Sequence, residues 1–211
     1  LFAAIQRFLN PSRSVEPADF SAFLQRQGAF VAQKTVIDYC RVKTGRSERH
    51  FFSEADFNAA LRHCRWQVYL GTMADVTALA EAWLRPHVAD RPSLLADRLA
   101  DLHHAILRAE SPPEEEADSV AAALAALPSY LAKLQLAAPY SAHRLPLLAR
   151  EPLLATLPIH PEQRKGEEVA ILGALRFHIV STQQEMERAF EPVQLAGNLV
   201  AEQPAAARRA P

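Results

Sequence analysis

Apolar residues recur at helical spacing along most of the chain, and that recurrence sets the first reading. Phe23, Phe30 and Ile37 stand seven apart, with Phe20, Leu24 and Val31 beside them, which predicts a helix over 20–42. Between Ala29 and Cys40 the apolar face widens, so this part is expected to be buried on most sides. Lys34, Asp38 and Arg41 fall on one stripe and suit an intrahelical charge ladder. A second helix is expected to start at Ser53 as N-cap. Phe52 and Phe57 are placed for a hydrophobic staple, and Glu54 and Asp56 supply negative charge in the first turn. Phe57, Ala60, Leu61, Cys64 and Val68 form its stripe. The short connector between the two predicts an antiparallel hairpin with Trp66 packed back on the first arm.

The pattern continues beyond the hairpin. Gly71 is expected to bend one long helix, which carries Val76, Leu79, Ala80, Trp83 and Leu84 and ends at Arg85-Pro86. Asp90 is expected to cap the next, with Pro92 in its first turn and Leu95, Leu99, Leu102 and Ile106 as its seam. Ser111-Pro112-Pro113-Glu114 reads as a capping box before an Ala-rich helix that Pro128 breaks or kinks. From Pro139 to Pro161 prolines fall too often for a long helix, and six leucines and Ile159 in that belt must be covered by something. Pro161 is expected to open the last strong helix, with Leu172, Leu175, Ile179, Met186 and Phe190 as its seam. After Glu191 the pattern fades. At the other end, Phe2, Ile5, Phe8 and Leu9 give Leu1–Leu9 one apolar side before Asn10-Pro11 stops it.

No stretch shows strand alternation between hairpin turns. The expectation is therefore an all-α, single-domain helical bundle of about six to eight helices with a Pro/Leu-rich irregular belt. Residues 1–190 would form the domain and residues 191–211 a C-terminal tail.

Composition narrows the function classes. The chain has 211 residues, room for a real core, and its net charge of −1 argues against a dedicated nucleic-acid binder. No apolar run reaches the ~18 residues of a membrane-spanning helix, and the few basic residues near Leu1–Leu9 rank membrane-surface binding last. Cys40 and Cys64 are the only cysteines. In a hairpin register that sets Cys64 near the level of Phe30, they lie too far apart to bridge and read as reduced core thiols, which fits the cytoplasm.

The leads to chemistry are few. Arg46, Arg49 and His50 in the connector can serve as an anion site, or simply as a basic helix end closed by Gly45. Asp97 and Asp101 share a helical face, the arrangement by which helical prenyl-diphosphate enzymes hold magnesium, but no second acidic motif faces them. No metal site is assigned, and Asp97 and Asp101 are the nearest approach to one. His103 and His104 point about 100° apart and do not make a metal pair, and His103 is expected at the core boundary. His178 is expected beside the seam of the last helix. No G-x-S-x-G elbow and no phosphate-binding loop is present, and no cofactor is implied.

Tyr39-Cys40-Arg41, Phe52, Glu54, Phe57, Ala60-Leu61 and Arg65-Trp66 make a YCR…FxExxFxxAL…RW segment over about a quarter of the chain. It resembles a segment of an uncharacterised bacterial all-helical family. The resemblance implies a helical fold and carries over no catalytic residue.

The favoured functional expectation is a non-enzymatic protein-interaction or adaptor protein. Its contact residues would be Phe2 and Ile5 in the first helix and Leu147, Leu148, Leu153 and Leu154 in the belt, with a protein partner and self-association open. The alternative is a helical enzyme or an anion- or small-molecule-binding protein with a pocket between helices. That pocket would draw on Arg46, Arg49, His50, Asp97, Asp101 and His103.

Overall fold

The computed structural model describes residues 13–201, and within them the chain is an all-α bundle with no β-strand. The helices are α1 (Pro17–Thr44), the short α2 (Glu48–Phe51), α3 (Ala55–Leu84), α4 (Pro92–Ala109), α5 (Ala117–Gln135), α6 (Arg150–Thr156), α7 (Glu168–Ala189) and α8 (Pro192–Val200). Single 3-10 turns stand at Gly45–Ser47, Arg85–Val88, Glu114–Glu116 and Pro161–Arg164. Leu1–Leu9, with Phe2 and Ile5, and the chain beyond Ala201 lie outside the described residues.

The bundle is built around α3. From Leu70 to Leu84 its residues are buried on every side, apart from the half-buried Gly71 and Trp83. A helix without a polar face needs neighbours all round, and α3 packs against α1, α4, α5, α6, α7 and α8. The one long helix expected here forms, and α3 runs unbroken through Gly71. The glycine serves close approach: a Cβ there would stand 2.5 Å from Ala149 Cα and 2.8 Å from Ala149 N. The backbone of the belt thus rests directly on the axis helix.

The α1–α3 hairpin forms, in a different register. Thr72 Oγ1 donates to Gly28 O at 2.9 Å, and Gly28 faces Met73. Counting back along both arms sets Cys64 opposite Val36–Ile37, about a turn from Cys40 rather than at Phe30. The shift follows from the bounds of the arms, since α1 runs on to Thr44 and α3 begins only at Ala55, which moves the midpoint of the hairpin along the chain. Both thiols are free and buried. Burial pushes Cys40 up to about 12 and Cys64 up to about 11, so both are held as thiols.

Several helix starts differ from expectation. Glu54, not Ser53, is the N-cap of α3, and the Ser53 hydroxyl turns back to donate to His50 O at 2.7 Å. Phe52 and Phe57 still meet, with ring centroids 5.3 Å apart. Arg91 rather than Asp90 precedes α4. The Ser111 box is displaced because Glu114–Glu116 forms a 3-10 turn before α5 begins. Pro128 stands inside α5 without ending it. Pro161 opens only a 3-10 turn, and α7 starts after Gly166, whose φ is +80°.

The tail expected from residue 191 is a further correction, for residues 192–200 belong to the bundle. Glu191 caps α8 by accepting from Val193 N and Gln194 N. Leu195, Ala196, Leu199 and Val200 are buried. Ser14 N donates to Ala189 O at 2.8 Å and Glu191 N to Ser14 O at 3.1 Å, which ties the start of α1 to the α7–α8 junction.

Candidate functional site

Two apolar regions compete for the role of contact surface, the belt and α7. In the belt the leucines divide. Leu153 is fully buried, Leu147 and Leu154 are half-buried against the core, and only Leu148 is exposed, at 41%. Leu153 is therefore a core residue and not available to a partner, contrary to expectation. The belt is also fastened by polar bonds. Asp75, wholly buried on α3, accepts from Leu148 N at 2.7 Å and Ala149 N at 3.1 Å. Tyr130 donates to Pro146 O, Arg176 to Ala142 O, and Arg164 to both Leu154 O and Ile159 O. Leaving those backbone groups unmade would cost about 1–3 kcal/mol each, which is why a proline-rich segment needs such partners to cover a core.

Helix α7 has two apolar faces. Ile171, Leu175, Ile179, Thr182 and Met186 are buried against the bundle. On the opposite side Val169 is 85% and Phe177 66% exposed, with exposed Ala170, Gly173 and Ala174 between them. From Val169 to Gln184 the only Asp, Glu, Lys or Arg is Arg176, and it is turned away to Ala142 O. Phe30 on α1, 48% exposed, meets the edge of this face through His178, with ring centroids 5.8 Å apart and nearly perpendicular. Burial holds the His178 imidazole below its ordinary value, and nearby Lys34 adds to this. Sequence reading passed over Val169 and Phe177. The signal was present: both fall out of phase with the buried seam on a stretch that has almost no charge.

The expected anion residues lie on two consecutive elements. Arg46 lies in the 3-10 turn after α1, Arg49 and His50 in α2, and all three are exposed. His50 is paired with Glu54 at 2.9 Å, while Arg41 takes Glu48 at 3.1 Å. Asp97 and Asp101 are exposed on α4, where Asp101 meets Arg98 at 3.6 Å. Among the described residues no group of three or more His, Cys, Asp or Glu is placed to hold a metal ion.

His103 is deeper than expected. It is fully buried between α4 and α3, with Nδ1 3.2 Å from Thr77 Oγ1, and Nε2 has no partner. Burial holds it down to about 4, with the neighbouring His104 contributing. Asp75 shows the opposite case: burial pushes its carboxyl up to about 7 although the two amides and Arg176 pull it down. Glu81 is also raised by burial, and it meets Arg85 at 3.0 Å and Gln135 at 3.0 Å. Glu116 accepts from His63 at 2.6 Å and Gln67 at 2.7 Å. These polar groups tie helices to one another.

A separate cleft of about 290 Å³ opens between α1 and α3, lined by Arg62, Arg65, Trp66 and Tyr69 from α3 and by Glu110. Trp66 is half-buried against the core and shares this cleft with residues of α1. No helix among the described residues is long and apolar enough to cross a membrane. No family model, no curated protein and no solved structure matches this chain.

Proposed function

We propose that this is a non-enzymatic interaction protein, that the outer face of α7 is its contact surface, and that its first partner is a second copy of the same chain. The observation that carries the reading is the charge-free outward face running from Val169 to Phe177. Clustered exposed apolar residues mark contact surfaces, whereas single ones do not. The face is also self-complementary. Val169 and Phe177 lie four residues to either side of Gly173, so an antiparallel crossing about a two-fold axis at Gly173 sets each Phe177 against the other copy's Val169. Gly173, Ala170 and Ala174 allow the two helices to approach closely, and a two-fold contact needs such self-pairing. Addition of a Cβ at Gly173 meets nothing within 4 Å among the described residues, so their packing does not require a glycine there.

Buried free cysteines suit a reducing compartment, and the reading takes the cytoplasm as the site of action. A bacterial origin follows the resemblance of the hairpin segment and is part of the same proposal. With a net charge of −1, nucleic acid is not among the partners proposed.

A pair of helices is a small interface, at the low end of about 1,200 Å², so association is expected in the micromolar range. Light scattering after size exclusion checks this. The mass should rise from that of the 23.4 kDa monomer toward twice that value with concentration. Val169→Ser with Phe177→Ser should hold it at the monomer. A wild-type chain that stays monomeric throughout rejects the reading.

A further inference from the structure

The geometry points to a binding site for a planar aromatic anion in the cleft between α1 and α3. Arg62, Arg65, Trp66 and Tyr69 stand at i, i+3, i+4 and i+7 on α3 and so share one face. Ala29 and Ala32 face them from α1, and their short side chains leave the open space of about 290 Å³. That is near the small end of the ~300–1,000 Å³ typical of ligand sites.

Three elements of recognition meet there. Arg62 and Arg65 are exposed, and among the described residues neither makes an ion pair or a side-chain hydrogen bond. Two guanidinium forks one turn apart suit a carboxylate or a phosphate, whose oxygens match their planar donors. Trp66 is half-buried and lines the cleft, its ring nearly perpendicular to that of Tyr69 with centroids 5.7 Å apart, and its indole is the surface on which a flat ring would stack. Glu110 receives Tyr69 OH at 3.0 Å and Gln25 Nε2 at 2.9 Å, both on Oε1. Its Oε2 is left to accept from an N–H or O–H group of the ligand. An anionic head, a ring and a donor together define the ligand class. The chain as a whole carries a net charge of −1, so the arginine pair is a local feature and not part of a general basic surface.

The test uses the full chain with Trp83→Phe, which leaves Trp66 as the one indole of two. Indole fluorescence is followed while 4-aminobenzoate, adenosine monophosphate, benzoate or inorganic phosphate is added. Saturable quenching by 4-aminobenzoate or adenosine monophosphate is expected, and whichever binds tighter assigns the head as carboxylate or phosphate. Benzoate, which lacks the donor, should bind several-fold more weakly than 4-aminobenzoate, and phosphate alone should leave the indole signal unchanged. Arg62→Gln with Arg65→Gln should weaken binding by about tenfold or more without lowering the melting temperature, since both side chains are exposed. Calorimetric titration of the unsubstituted chain should give the same order of probes even if the Trp83 variant folds poorly. Absence of saturable binding of both aromatic anions up to ~10 mM, or equal affinity in the double arginine variant, overturns the proposal.

Discussion

The belt and helix α7 contrast in a way that leucine content alone does not anticipate. The belt has the more conspicuous apolar sequence, yet Leu153 is wholly buried and its backbone is pinned by Asp75, Tyr130, Arg164 and Arg176. Helix α7 looks like an ordinary amphipathic helix, yet it keeps Val169 and Phe177 in solvent. The difference lies in how the backbone is satisfied. A proline-interrupted segment satisfies only part of its backbone internally, here in turns and the short α6, so polar side chains of other helices complete it and hold its leucines against the core. A regular helix satisfies its own backbone, so its outer face is free to carry apolar residues.

The strongest way to break this contrast is at Gly71. Gly71→Val puts a branched side chain against the Ala149 backbone, which cannot yield as a flexible side chain would. A loss of about 3 kcal/mol or more is expected in chemical denaturation, or failure to fold. Next in size is Leu153→Ser, which leaves a cavity and a buried hydroxyl and should cost about 3–5 kcal/mol. Leu148→Ser, five residues earlier and exposed, should change stability by less than about 0.5 kcal/mol. Equal melting temperatures for the two serine variants would undo the division of the belt into core and surface.

Protonation sharpens the contrast further. The Asp75 carboxyl is pushed up to about 7 by burial, whereas an unfolded chain releases that proton near 3.8. Its contribution to stability is whole below about 4 and lost as the pH rises through about 7. His103 is held down to about 4 by burial, against 6.5 when unfolded. Its contribution is whole above about 6.5 and lost as the pH falls through about 4. The two windows overlap and the slopes oppose. Asp75→Asn removes one of them. Calorimetric melting between pH 7 and 4.5 should then show a steeper fall on acidification than in the wild type. Parallel curves would mean that Asp75 is already ionised in the fold.

The smallest effect is expected at Ser53. Its hydroxyl bonds an exposed carbonyl at the end of α2 instead of capping α3, so Ser53→Ala should cost only a few tenths of a kcal/mol and not the ~1 kcal/mol of a lost N-cap. A loss near the larger figure in a denaturant titration would restore Ser53 as the cap.

Much of the architecture was legible in the spacing of apolar residues. The seams of α1, α3, α4 and α7 can be read from positions such as Phe23, Leu61, Leu99 and Leu175, because long helices repeat the pattern several times. Helix α8 was not legible, because nine residues give too few repeats and it depends on the Ser14 tie at Phe190. Helix starts were misplaced at Ser111 and Pro161, where the signals belong to segments leading into the helices and not to the helices themselves. The depth of His103 and Asp75 depends on neighbours far along the chain, and no local pattern reports it. Legibility was poorest for surface function. Phe177 and Val169 are apolar residues in a helix, and only the bundle decides which apolar side faces in.

The most direct test of the contact face is a cysteine at its centre. Gly173→Cys adds a thiol on the proposed two-fold axis, where no described residue meets a Cβ, while Cys40 and Cys64 remain buried. Mild oxidation should then give a covalent dimer in high yield, because the two new cysteines would face each other within the ~4.4–6.8 Å between Cα atoms that a disulfide needs. Val193→Cys, also exposed but on α8, should remain largely monomeric under the same conditions. Equal cross-linking of the two variants, or none at Gly173→Cys, would contradict the account.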